Sequence, residues 1–258
     1  MVRNRSKRIR KNRRLRRRRY SRRGGGKERT YVFLIPYRAR HPQERRREEI
    51  IDCINSIEAY FKKYNKKYAM YIVEENNDYP FNKGVLLNAA FLESEKKYDF
   101  PRLYIHMNVD YTFDMTMEFP KELENFDGNG FLDIYSLLPG HAVGGASCFG
   151  SDAFNKVNGF PNMMYGWGFE DNALKKRADA AKVPIVLTDL VNSGWIIARG
   201  SADLARNMKH MDTNKDIMDK TDIKSDGLNT CKYVIDGPGE FDNPERHIIH
   251  SLINWEKK

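Results

Sequence analysis

The sequence has few cysteines and no long apolar run. Of its 258 residues, three are cysteine, at positions 53, 148 and 231, and their wide spacing fits neither a disulfide framework nor a zinc site. We expect Cys53 to lie in the apolar core, and a set this sparse favours a reducing compartment. No stretch approaches the roughly 20 apolar residues of a membrane span, and the first residues lack the apolar segment of a secretory signal. We therefore expect a soluble intracellular protein.

Positive charge is concentrated at the amino end. Residues 1–29 hold 16 of the 45 basic residues and one of the 35 acidic residues, a balance of +15, whereas residues 30–258 hold 29 basic and 34 acidic residues, a balance of −5. The tail has almost no apolar residues, so it is expected to be disordered. Arginine runs bind phosphates, and an anionic partner such as nucleic acid or an anionic surface is one interpretation. A solvated extension is the other.

Residues 30–258 are expected to form one α/β domain, because apolar runs and helical patterns alternate along them. The resulting strand, helix, strand, helix, strand order predicts a largely parallel central sheet. In chain order the predicted elements are strand 31–37, helix 43–62, strand 68–73, helix 84–97 and strand 102–109, followed by strands at 184–190 and 195–197.

Polar residues follow the first two predicted strands, where ligands of parallel sheets bind. Pro36 and Tyr37 end the first strand, and Arg38 and Arg40 come directly after it. Guanidinium groups suit phosphate and an aromatic ring can stack on a base, so this segment is a candidate nucleotide site. The alternative is that the arginines belong to a basic surface. Phe81 and Asn82 follow the second strand, where Asn82 could instead cap the next helix.

Asn108 and Asp110 stand at the end of the third predicted strand. A carboxylate there, facing a diphosphate, is a common way to hold a divalent cation between protein and phosphate oxygens. A turn residue is the alternative interpretation of an isolated aspartate.

The segment from residue 143 to 177 combines three unusual features. Gly144 and Gly145 predict a close approach of the backbone to a strand or a ligand. An aromatic and glycine run, YGWGF, contains Trp167, and flat rings suit the faces of sugars. Glu170 and Asp171 follow at once in the first turn of a predicted helix, where the dipole favours negative charge. A loop packed by its own aromatic residues is the alternative.

The segments GGAS, VNGFPN and YGWGFED together resemble the signature of the β-1,4-galactosyltransferase family. IPYRAR, FNKGVLLN and SDGLN resemble three further family motifs and follow in the family's order. The resemblance implies a GT-A fold and transfer of a hexose, with inversion, from a UDP-sugar to a hydroxyl of a glycan or glycoconjugate.

The resemblance also assigns roles to residues. Asp171 matches the general base, Glu170 would hold sugar hydroxyls, and Mn²⁺ or another divalent cation would bind Asp110 and His210. Trp167 falls on a mobile loop that closes over the donor. The UDP-sugar would contact the following positions: Pro36, Tyr37, Arg38, Arg40, Phe81, Asn82, Asn108, Asp110, Gly144, Gly145 and Trp167.

The chain departs from the family pattern at three of these motifs. Asn108 replaces an aspartate, Lys83 replaces an arginine, and Ala142 replaces a tyrosine. The smaller Ala142 would admit a bulkier sugar such as an N-acetylhexosamine, although galactose is the default. Family members of the secretory pathway carry disulfides and a membrane anchor, so we expect this chain to be soluble in the cytoplasm, with a viral or host-cell setting as one interpretation, rather than in the Golgi lumen. A non-catalytic glycan- or nucleotide-binding protein, targeted by its basic tail to nucleic acid, is the competing hypothesis.

Overall fold

The structure is a computed structural model that describes residues 29–39, 45–97, 102–136, 139–140, 142–166, 168–199, 208–220 and 222–255. The side chains of Asn192 and Met208 are not described. Three predictions therefore lie outside the described residues: the disordered tail up to residue 28, the phosphate contact of Arg40, and the closing loop at Trp167.

The strands are β1 Thr30–Tyr37, β2 Lys67–Glu75, β3 Arg102–Met107, β4 Tyr111–Phe113, β5 Phe131–Tyr135, β6 Ala146–Phe149, β7 Ile185–Val186, β8 Ile196–Ala198, β9 Val234–Pro238 and β10 Ile248–Asn254. Eight of them form one sheet, with strand order β7-β5-β6-β3-β1-β2-β10-β9. The four central strands β3, β1, β2 and β10 run parallel, as does the pair of β5 and β7 at one edge. Strand β6 is antiparallel to β3 and β5, and β9 is antiparallel to β10. The predicted α/β class with a largely parallel sheet is confirmed.

Helices cover both faces of the sheet. They are α1 Arg46–Lys63, α2 Lys83–Lys97, α3 Lys121–Asn125, α4 Ser151–Lys156, α5 Glu170–Ala180 and α6 Met211–Lys220. On one face, α1 packs Ile54 and Phe61 against Phe33 of β1, and Cys53 lies in this core as predicted. On the other face, α2, α4 and α5 share a second core with the opposite side chains of the same strands. Alternate residues of each buried strand therefore enter different cores.

Helix α2 is buried nearly all round, as its continuous apolar sequence predicts. No helix within the described part of the chain combines the length and apolar character that crossing a membrane requires. A small second sheet pairs β4 with β8.

One prediction about a strand needs correction, and one strand was not predicted. The strand predicted at 184–190 is only the two-residue β7, because a 3₁₀ turn begins at Asp189, where the Thr188 hydroxyl accepts a hydrogen bond from the Leu190 N–H at 3.3 Å. The carboxyl-terminal segment, which carries no strong sequence pattern, forms β10 and joins the sheet beside β2. Only partners distant in sequence place this strand, so local pattern does not reveal it.

Candidate active site

Two carboxylates open helix α5. Phe169 precedes the helix in the left-handed region, with φ +68°, and Glu170 and Asp171 form its first turn as predicted. The Gly168 N–H donates to Glu170 Oε2 at 3.2 Å, which ties the glycine run to the helix start. The free N–H groups of a helix start favour negative charge, so this is a suitable position for two acids.

Lys83, the first residue of α2, binds both carboxylates. Its Nζ donates to Asp171 Oδ1 at 2.8 Å and lies 3.5 Å from Glu170 Oε1, and its side chain is 9% exposed. Burial alone would lower the pKa of Lys83, but the charges of Asp171 and Glu170 outweigh it and raise that pKa. Lys83 therefore stays protonated and contacts both carboxylates of the acidic pair.

The two acids differ in access to solvent. The Glu170 side chain is 14% exposed and that of Asp171 is 23% exposed. Burial, followed by repulsion from Asp171, raises the pKa of Glu170, against the opposing attraction of Lys83. Asp171 is thus the more accessible of the two carboxylates.

Gly144 and Gly145 bring the backbone against this site, as predicted. A Cβ at Gly144 would lie 3.1 Å from Asp171 Oδ2. At Gly145, which has φ +41°, a Cβ would lie 2.7 Å from both the Tyr111 hydroxyl and the Tyr135 carbonyl oxygen. The positive φ and these close contacts require glycine at Gly145, whereas a side chain at Gly144 would press on the Asp171 carboxylate.

The loop after β3 approaches the glycine pair. Asn108 Nδ2 donates to the Tyr111 hydroxyl at 3.3 Å, and this hydroxyl faces Gly145. Burial first and the charge of Asp110 second raise the pKa of Tyr111, on which Lys83 and Asp171 also act. The structure therefore brings the predicted residues Asn108, Gly145 and Asp171 into one cluster.

The predicted cation ligands are less fully assembled. Asp110 is half-buried in the turn between β3 and β4, and His210 is half-buried in the 3₁₀ turn Met208–His210. Among the described residues, no group of three or more His, Cys, Asp or Glu side chains could hold a metal ion. Asp110 and the amide of Asn108 offer oxygen donors and His210 offers an imidazole nitrogen, and these donor types suit a divalent cation completed by phosphate oxygens.

The segment after β1 departs from its predicted role. Tyr37, 2% exposed, packs against the rings of Phe241 and His250, so it does not present a face to a base. The prediction that Tyr37 stacks on a base is therefore wrong, because its ring is already packed in the core. Arg38 Nη1 donates to Glu75 Oε2 at 2.8 Å and also to the Tyr79 carbonyl oxygen, and Arg38 Nη2 donates to the Asn77 carbonyl oxygen at 2.9 Å. Arg38 therefore holds the loop that follows β2.

Asn82 caps α2, which is the structural alternative for this residue. Fully buried, it accepts from the Val85 N–H at 2.9 Å and donates from Nδ2 to the Asn162 carbonyl oxygen at 2.7 Å. Neighbouring Phe81 is half-buried and accepts from the Gly166 N–H at 2.8 Å through its carbonyl oxygen. Both residues connect α2 to the chain that leads into the active site.

Hydrogen bonds join two motifs that are far apart in sequence, next to the loop that precedes α5. The Asn162 N–H donates to Asp226 Oδ2 at 2.8 Å, and Asn162 Nδ2 donates to the Gly227 carbonyl oxygen at 2.7 Å. Asn88 of α2 donates from Nδ2 to Asn162 Oδ1 at 2.9 Å. The NGFPN and SDGLN segments therefore position the loop that precedes α5.

Sequence reasoning missed the ion pair of Lys83, which it noted only as a replacement for arginine. It also missed three buried polar residues in apolar strands: His106, Asp133 and Ser147. For His106 and Asp133 the available signal was an ionisable residue within an otherwise apolar strand, which is rare without a partner or a function.

Comparisons with known proteins agree with this architecture. A family described as the N-terminal region of glycosyl transferase group 7 matches residues 7–115, and one described as the N-terminal domain of galactosyltransferase matches residues 137–193. The crystal structure of Drosophila β-1,4-galactosyltransferase 7, a mutant in complex with manganese, UDP-Gal and xylobiose, superposes with a TM-score of 0.68. The two chains are 20% identical, and the superposition covers 88% of this chain and 95% of the Drosophila chain. The fold is therefore a GT-A fold.

Curated relatives give the family. Pig β-1,4-galactosyltransferase 5 is 30% identical over 185 residues, which are 68% of this chain and 41% of that protein. Mouse β-1,4-galactosyltransferase 4 is 25% identical over 209 residues, which are 78% of this chain and 58% of that protein. The chain belongs to the β-1,4-galactosyltransferase family. It spans about two fifths of the length of the pig relative.

Proposed function

We propose that the protein is an inverting glycosyltransferase that moves a hexose from a UDP-sugar to a hydroxyl group of a glycan or glycoconjugate. The observation that carries this proposal is Asp171, an accessible carboxylate held by Lys83 at a helix start and approached by the backbone of Gly144. Family membership and the related complex with UDP-Gal and xylobiose support both the donor and the acceptor class.

In the proposed reaction, Asp171 is the general base. The acceptor oxygen attacks the anomeric carbon and forms the new glycosidic bond, while its proton passes to an oxygen of Asp171. The bond between the anomeric carbon and the UDP oxygen breaks, and its electron pair leaves with UDP. Attack opposite the leaving group inverts the anomeric centre. Glu170 would accept hydrogen bonds from sugar hydroxyls.

Asp110, His210 and the amide of Asn108 would hold a divalent cation, and manganese is the ion in the related complex. When bound, such an ion offsets the charge that develops on a leaving diphosphate. Lys83 adds a fixed positive charge near the same place, since it acts on both Tyr111 and Asp171. The remaining donor contacts are proposed at Arg40, Trp167 and the glycine pair.

Galactose is the proposed donor sugar, as in the related complex. Ala142 is buried directly before Val143, whose N–H donates to the Asp171 carbonyl oxygen at 3.2 Å, so its size bears on the space beside the base. An N-acetylhexosamine is the alternative donor. A panel of UDP-sugars distinguishes the two.

Asp171→Asn tests the proposal. The amide keeps the size of the side chain but cannot take the proton, so transfer should fall about 100- to 10,000-fold while UDP binding stays within a few-fold. Asp152→Asn is a matched control, because Asp152 is an exposed acid in the first turn of α4, and this variant should keep full activity. An active Asp171→Asn enzyme, or a folded variant that no longer binds UDP, would contradict the assigned role.

A non-catalytic binding protein is the second candidate. Asn108 in place of an acid, and no cluster of three ligands in the described ranges, are the observations that favour it. This alternative predicts that UDP binds without turnover of any UDP-sugar, with or without manganese.

A further inference from the structure

Tyr111 closes the turn that carries two of the proposed cation ligands. Asn108 and Asp110 lie in this turn, between β3 and β4, and the Tyr111 N–H donates to the Asn108 carbonyl oxygen at 3.3 Å. Tyr111 is also the first residue of β4, where it pairs with Ala198 of β8. The backbone of Tyr111 is therefore held by the turn on one side and by the small second sheet on the other.

The Tyr111 side chain is buried between this turn and the glycine pair. Its ring packs edge-on against Tyr135, with the ring centroids 4.9 Å apart. The hydroxyl lies so close to Gly145 that a Cβ there would come within 2.7 Å of it. Burial raises the pKa of Tyr111, so the hydroxyl stays protonated and uncharged at physiological pH. These contacts fix the position of the hydroxyl.

The side-chain amide of Asn108 meets this hydroxyl. Asn108 Nδ2 donates to the Tyr111 hydroxyl at 3.3 Å, and among the described residues Asn108 Oδ1 accepts no hydrogen bond. An amide has one oxygen, which can bind a cation, and one NH₂ group, which has only hydrogen atoms to offer. The orientation of the amide therefore decides whether Asn108 can serve as a cation ligand.

We propose that Tyr111 is a positioning residue that holds the Asn108 amide with its oxygen directed towards the cation. The inference rests on the proposed function, since it concerns the cation site of that reaction. The Tyr111 hydroxyl supplies the acceptor that the NH₂ group needs, so the NH₂ group is kept on the side away from the cation. The opposite orientation would place the NH₂ group against a positive charge.

An asparagine at position 108 depends on this contact more than an aspartate would. The two oxygens of a carboxylate are equivalent, so an aspartate presents an oxygen to the cation in either orientation. An asparagine presents its oxygen in one orientation only. The Tyr111 hydroxyl should therefore strengthen cation binding when residue 108 is asparagine, and it should have little effect when that residue is aspartate.

Mn²⁺ binding in the presence of UDP tests the proposal with the wild type, Tyr111→Phe, Asn108→Asp and the double variant. Electron paramagnetic resonance of free Mn²⁺ gives the affinity without any turnover. Phenylalanine keeps the buried ring and removes only the hydroxyl, so Tyr111→Phe should weaken Mn²⁺ binding about three- to tenfold in the protein that retains Asn108. In the Asn108→Asp background, the same change should weaken binding less than about twofold.

Tyr68→Phe is the matched control. Tyr68 is also buried, and its hydroxyl donates to Glu58 Oε1 at the same distance of 3.3 Å. It lies near the start of β2, at the opposite end of the parallel strands from the turn that follows β3. This variant should keep the wild-type affinity for Mn²⁺.

Two results would overturn the inference. One is a Tyr111→Phe variant that binds Mn²⁺ as well as the wild type does, and the other is a loss of affinity that is equal in the two backgrounds, since a general packing defect would not depend on residue 108. A wild type that shows the expected pattern of Mn²⁺ binding but turns over no UDP-sugar would support the inference and refute the proposed function. The two failures are therefore distinguishable.

Discussion

Replacement of Asp133 by asparagine should change how stability depends on pH. The pKa of Asp133 rises from its ordinary value of 3.8 to about 7 in the folded protein. Because the folded state holds the proton more tightly, the stabilisation is fully present below the unfolded pKa and is lost as the pH rises through the folded pKa. An asparagine side chain does not titrate, so the free energies of unfolding of the two proteins should diverge as the pH rises.

The size of the effect follows from the pKa shift. A shift of one unit corresponds to about 1.4 kcal/mol, so the full change is about 4 kcal/mol, of which about 2–3 kcal/mol falls between pH 5 and pH 8. The wild type should therefore lose about 2–3 kcal/mol relative to Asp133→Asn over this range. Any constant difference in packing between the side chains cancels in the comparison.

Urea denaturation of both proteins at pH 5, 6, 7 and 8 measures this difference directly. Asp152→Asn, at an exposed helix start, is the control and should run parallel to the wild type at every pH. A difference between wild type and Asp133→Asn that stays constant from pH 5 to pH 8 would refute the argument, because it would mean that Asp133 is ionised throughout or finds a partner.

Three further substitutions test the site. Gly145→Ala should lower the free energy of unfolding by about 1–3 kcal/mol, measured by urea denaturation, because its Cβ would collide with Tyr111; an unchanged midpoint would contradict this. Lys83→Met should remove about 3–5 kcal/mol, since two carboxylates lose their partner, and a stable, active variant would show that the ion pair is dispensable. Asn88→Ala should reduce the thermal midpoint, because it removes about 2–3 kcal/mol of buried hydrogen bonding to Phe160 and Asn162.

The elements that local pattern could predict were those that bury continuous apolar runs. Strands β1, β2 and β3 and helices α1 and α2 fall within a few residues of their predicted bounds, because each carries a strand-like apolar run or helical spacing. Strand β10 could not be predicted, since its burial depends on β2, which lies far away in sequence. The predicted strand at 184–190 was too long because the Thr188 cap starts a turn within it.

The site could be predicted in part. The family resemblance assigned Asn108, Gly144, Gly145 and Asp171 to one site, but it did not show that Gly144 lies against Asp171 or that Asn108 bonds to Tyr111 beside Gly145. The sequence could not show that Tyr37 turns into the core, because the rings that cover it come from the carboxyl-terminal segment. Nor could it show that Arg38 holds the loop after β2, since that depends on Glu75 and on backbone carbonyl oxygens.

The same limit applies to the buried polar residues His106, Asp133 and Ser147. Asp133 and Ser147 come together only through strand register, and His106 joins them across a third strand. A sequence shows that an ionisable residue interrupts an apolar strand, but it does not show which residue faces it. The charge of Asp171, on α5, then adds to burial in raising the pKa of Asp133.

The most direct test of the central claim is release of UDP from a panel of UDP-sugars, measured with Mn²⁺ and with EDTA, for the wild type and Asp110→Ala. The account predicts turnover of one donor, with UDP-galactose expected, that requires the cation and is lost in the variant. No turnover of any donor, together with UDP binding that is indifferent to the cation, would contradict it and favour the non-catalytic binding protein.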